Sequence, residues 1–158
     1  MQNNPVFRVA AKILFAPIIM FGLYVQFHGD YGPGGGFQAG VIIAAAFILH
    51  GLVFGLDAGR KLVSTKVNVL LMSIGVLLYG SVGVVSVLKG GYFLDYTALT
   101  GDVGSGQHMG ILLVELGVGL TVTTVMLVLF HAFAGFVEDK SGVCWLSLIC
   151  GTITSSYF

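Results

Sequence analysis

Charge is what this sequence lacks. Only 9 % of its residues are Asp, Glu, Lys or Arg, against 56 % apolar, where an ordinary soluble domain carries about 25 % charged residues. Such a chain cannot clothe itself in a hydrated surface, so a freely soluble domain is excluded and the bilayer is its natural solvent. The seven basic residues balance seven acidic ones and form no patch, which excludes a nucleic-acid partner. Cysteine is scarce too. Cys144 and Cys150 are not a C-x-x-C pair, and on a helix their spacing sets them about 120° apart. Both read as apolar filler rather than metal ligands. No metal motif, Gly-x-Ser-x-Gly elbow or catalytic cysteine context occurs, so neither an enzyme nor a cofactor is expected.

The few charges punctuate the chain at telling intervals. Seventeen residues without Asp, Glu, Lys or Arg separate Lys12 from Asp30, 26 separate Asp30 from Asp57, and 22 separate Lys66 from Lys89. Between Asp102 and Glu138 the only charge is Glu115. A spanning helix needs about 20 mainly apolar residues, so four transmembrane helices are expected at about 6–28, 37–56, 67–88 and 107–137. The fold class is therefore an all-α integral membrane protein, with residues 1–140 as one four-helix domain. The first run follows Arg8 and Lys12 but ends in no small-x-small cleavage site, and reads as an uncleaved helix. The fourth run is too long for a straight crossing. It must tilt, protrude or break, and Gly117 and Gly119 mark its weak point. The tail at 141–158 is apolar but too short to span, and reads as interfacial or partner-covered with Trp145 as anchor.

Lys and Arg in short loops orient the spans. Arg8, Lys12, Arg60, Lys61, Lys66 and Lys140 fall on one side and Lys89 alone on the other. Both termini are therefore expected in the cytoplasm. The loop His28–Gly40, "HGDYGPGGGFQAG", then faces outside. Gly34-x-Gly36-x-x-Ala39 with Asp57 about 20 residues on formally matches a dinucleotide fingerprint. That fingerprint works only between a strand and a helix, and no Gly-Lys-Ser/Thr follows to make a P-loop, so nucleotide binding is excluded. The glycines also continue into the second helix. Gly36, Gly40, Ala44, Gly51 and Gly55 share an arc of about 100°, a small-residue face of the kind that lets helices approach closely in lipid.

"FHGDYGPGGGFQAG" resembles the signature of the MnhB/MrpB family, the B subunit of Mrp-type multisubunit sodium/proton antiporters. In that family an external His-x-x-x-x-Pro-Gly-Gly-Gly-Phe-x-x-Gly loop joins the first two of four helices. His28, Pro33, Gly34, Gly35, Gly36, Phe37 and Gly40 carry the motif here, and "GSGQHMGILLVELGVGL" leads the fourth helix. The resemblance covers at least residues 5–140. It implies a small subunit in a bacterial cell membrane, with partners among larger subunits that resemble the proton pumps of respiratory complex I. Sodium ions and protons would be the transported species. Two functional readings stay open: a subunit that lines a cation or proton path, and a pure assembly scaffold. A homologous module of a membrane-bound hydrogenase-type complex is a third, within the same resemblance.

Glu115 carries the ion-path reading. A carboxylate inside a span is costly and demands a partner or a function. It is either a protonated or hydrogen-bonded tie to a neighbouring helix or a cation or proton station, with His108 on the same face. Lys12, His50 and His131 form a second candidate set of proton groups towards the inner side, since imidazoles titrate near neutral pH. Snorkelling and helix–helix hydrogen bonds are the alternative for these three. His28, Asp30 and His108 cluster towards the outside. Glu115 and Thr124 lie on opposite sides of the fourth helix, and the expectation is that a larger complex covers both.

Overall fold

A computed structural model of the chain describes residues 5–29, 32, 34–96 and 103–139. Asp30, Pro33, Lys140 and the tail at 141–158 lie outside the described residues. Among the described residues there are five helices: α1 Pro5–Phe27, α2 Gly36–Phe54, α3 Leu56–Leu62, α4 Thr65–Leu88 and α5 Val103–Asp139. Four of them are long and apolar enough to cross a membrane.

The helix boundaries follow from local chemistry. Pro5 opens α1, where its missing N–H is not needed. Gly35 precedes α2 with φ 141°, a conformation that side chains rarely adopt. Gly55, with φ 97°, ends α2 and turns the chain straight into α3. This seven-residue helix, which the charge spacing does not announce, has Asp57 in its first turn and Arg60 and Lys61 in its last. Both placements suit the helix dipole. After α4, the Gly91 amide donates back to the Ser86 carbonyl at 3.1 Å, with Gly90 at φ 85°. Phe93 then folds onto Gly83 and Tyr96 onto Gly110.

The helices pack as a row: α1 on α2, α2 on α5, and α5 on α4. Helix α5 is thus an inner member of the row. Its 37 residues run without interruption, a length of about 55 Å. The expected weak point at Gly117 and Gly119 is corrected by this. Both glycines are contact points, Gly117 against the Gly75 carbonyl of α4 and Gly119 against Gln26 of α1 and the Gly36 carbonyl of α2. A helix holds its glycines where a neighbouring backbone takes up the space.

The core is built from small residues. Ala39, Ala44 and Ala46 of α2 are buried, as are Ala11, Val82 and Leu127. Large side chains point outward instead, among them Phe7, Met20 and Phe27 on α1 and Leu70, Leu77 and Leu88 on α4. Lipid removes the hydrophobic drive between helices, so close backbone packing and interhelical hydrogen bonds must hold them. One such bond ties the inner pair. The Thr123 hydroxyl lies 3.1 Å from the Gly40 carbonyl and 2.8 Å from that of Gly119.

Candidate functional site

The glycine loop meets the intramembrane carboxylate. A Cβ on Gly29 would stand 2.5 Å from both carboxylate oxygens of Glu115, and one on Gly35 would stand 3.0 Å from Oε1. At Gly36 a Cβ would collide with the Glu115 backbone carbonyl. Two glycines therefore lie against the charged end of the side chain and a third against its peptide. At Gly36 the obstacle is backbone and cannot give, whereas at Gly29 and Gly35 it is the movable end of the Glu115 side chain, and Gly35 also holds a φ of 141° that favours glycine.

The small-residue face of α2 has the same explanation. Gly36 abuts Glu115, Gly40 abuts the Gly119 carbonyl and Val122, and Gly51 abuts Phe130. Every one of these contacts is with α5 of this chain. On the far side of α5, Gly75 of α4 lies against Thr121 and the Gly117 carbonyl. Both faces of α5 are thus covered from within the subunit, which corrects the expectation that a larger complex is needed to cover Glu115 and Thr124. Thr124 is 2 % exposed and donates to the Leu120 and Thr121 carbonyls, both at 2.9 Å.

A polar residue joins this site that charge counting misses. Gln26, near the end of α1, is 6 % exposed. Its Oε1 presses on Gly119, one turn beyond Glu115, beside the Gly36 carbonyl. Its Nε2 is buried without a hydrogen-bond partner. The signal was available, because Gln26 is an amide inside a span.

The remaining loop residues take different positions. His28 stacks on Tyr24, with ring centroids 5.0 Å apart. Gly34 packs on Val25, whose carbonyl would stand 3.3 Å from an added Cβ. Phe37 is 64 % exposed and points away from the packed face of α2. His108 is exposed near the start of α5.

The inner set divides into two groups. His50 stacks on Phe54 at 4.5 Å and meets Phe15 at 5.8 Å. Lys12 and Arg8 both lie over the Phe54 ring, at 5.8 and 5.3 Å from its centroid. His131 belongs elsewhere. It lines a cavity with Arg60, Thr65 and Asn68. Outside the spans, burial pushes the Tyr96 phenol above its ordinary value, with Tyr79 adding to the shift. Among the described residues no three His, Cys, Asp or Glu side chains come together as a metal-binding group.

Four apolar spans packed through glycines, with a carboxylate enclosed by a loop, define a multi-pass integral membrane protein with a polar site inside its helix row. The chain belongs to the MnhB family: residues 6–128 match the family described as "Domain related to MnhB subunit of Na+/H+ antiporter". It is 34 % identical over 141 residues to the Staphylococcus haemolyticus protein named "Putative antiporter subunit mnhB2", covering 85 % of this chain and 96 % of that one. The protein of the same name from Staphylococcus aureus strain Newman is 31 % identical over 137 residues, with the same coverage of both chains. The resemblance carried by the glycine loop is confirmed.

Proposed function

We propose that this chain is a small membrane subunit of a multisubunit sodium/proton antiporter in which Glu115 is a cation or proton station, closed towards the outer side by the glycine loop. One observation carries the reading: Gly29, Gly35 and Gly36 are all fitted to Glu115. In this arrangement both termini lie in the cytoplasm of a bacterial cell, as the distribution of Lys and Arg favours. Larger subunits of the antiporter would seat on the exposed apolar sides of α1 and α4. The pure-scaffold reading loses its main support, since the glycine face that would join other subunits is occupied by α5. Glu115→Gln in the assembled complex tests the proposal. Sodium-dependent proton movement in everted vesicles should fall while the partner subunits still co-purify. Full exchange in that variant would leave only the scaffold.

A further inference from the structure

The inner half of the molecule holds a second polar site that the glycine loop and Glu115 do not touch. A cavity of about 370 Å³ opens between α3, α4 and α5, lined by Arg60, Thr65, Asn68, Val128, His131 and Ala132. A water molecule takes about 30 Å³ in the liquid, so the space holds several. Two polar atoms in its walls are buried without a hydrogen-bond partner: Asn68 Oδ1 and His131 Nε2. Asn68 is 2 % exposed, near the start of α4.

His131 has one chemical role fixed by its neighbours. Its Nδ1 lies 2.8 Å from the Leu127 carbonyl, which can only accept, so Nδ1 carries the proton and Nε2 is the basic nitrogen. Nε2 points towards Gly59, where an added Cβ would stand 3.5 Å away. Both orphan atoms are therefore acceptors, and what satisfies two acceptors is a hydrogen-bond donor. Arg60 of α3 is the charged side chain in the lining; α4 adds only the uncharged Thr65 and Asn68. Where α2 approaches, it presents Gly51 beside Gly59. An anion would satisfy Arg60 but neither acceptor.

We propose that this cavity is a proton-holding site, filled with water past the exposed Arg60, in which His131 takes the proton and Asn68 steadies it. A hydronium ion in the cavity gives its proton to His131 Nε2 and becomes water. The new N–H donates to Asn68 Oδ1, directly or through one water, and the transfer reverses when the proton leaves. The site pairs His131 with Asn68 and Arg60, and leaves Lys12 and His50 to their packing on Phe54.

Solid-state nitrogen NMR of the full chain in lipid bilayers tests this, with the His131 signals assigned as those lost in His131→Gln. The expected result is an Nδ1–H tautomer at about pH 8 that gains a second N–H by about pH 5, with magnetisation transfer from water to the ring. Asn68→Leu, which fills the cavity and removes the acceptor, should abolish the water transfer and cut the protonated fraction at about pH 6 several-fold. Asn68→Ala keeps the space and should lose protonation while retaining water transfer, which covers the case in which the leucine variant fails to fold. A ring that stays singly protonated down to about pH 5, or lacks water contact in the native chain, overturns the proposal. So does unchanged protonation in Asn68→Ala. None of these readings depends on Glu115, so failure here and failure of the Glu115 station are separately visible.

Discussion

Gly36 stands against the backbone carbonyl of Glu115 so closely that no methyl group fits between α2 and α5. The contact fixes both the depth of the carboxylate and the path of the loop. Gly36→Ala should therefore force the two helices apart, at the cost of about 1–3 kcal/mol typical of overpacking. Gly75→Ala on the other side of α5, facing Thr121 and Gly117, should cost a similar amount. Gly80 has nothing within 4 Å of an added Cβ, so Gly80→Ala should leave stability unchanged or raise it by up to about 1 kcal/mol. Thermal unfolding of the subunit in detergent, followed for all three variants, checks the contrast.

Thr123 supplies a hydrogen bond to the Gly40 carbonyl on top of the backbone fit. Thr123→Val keeps the shape and removes the hydroxyl, and with it both the link to Gly40 and the bond within α5 to the Gly119 carbonyl. Hydrogen bonds between membrane helices average about 0.6 kcal/mol in double-mutant cycles, so the variant should lose far less stability than Gly36→Ala. A loss as large as that of Gly36→Ala would mean that the hydrogen bond, not the missing Cβ, joins α2 to α5.

His50 sits against Phe54 and Phe15, where a phenyl ring can take its place. His50→Phe should keep stability within about 1 kcal/mol and leave sodium/proton exchange near the native level. Phe54→Leu should be the more damaging change, because it removes the ring under both Arg8 and Lys12, contacts worth about 0.5–1 kcal/mol each at exposed sites. Exchange assays and unfolding of the two variants separate a packing role from a proton relay.

The spacing of so few charges made the four spans legible, and Glu115 stood out as the one acidic residue inside an apolar run. The partner of the glycine face was not legible. A stripe of small residues looks the same whether its mate is another subunit or a later helix of the same chain, and here it is α5. The continuity of α5 was hidden for a related reason. Glycines weaken an isolated helix, yet Gly117 and Gly119 admit the backbones of α4 and α2. Gln26 and Asn68 escaped because uncharged amides do not interrupt a count of charges, although burying an amide in lipid raises the same demand for a partner.

The central claim is that Gly29, Gly35 and Gly36 are fitted to hold Glu115 in place, and a double-mutant cycle tests it most directly. Sodium-driven proton exchange would be measured in everted vesicles for Gly29→Ala, Glu115→Gln and the two combined, with co-purification of partner subunits as the control for assembly. Each single variant should lose most of its exchange. The double variant should be no worse than Glu115→Gln alone, because the added methyl then crowds a group whose charge is already gone. Losses that simply add, or a Gly29→Ala complex with native exchange, would contradict the account.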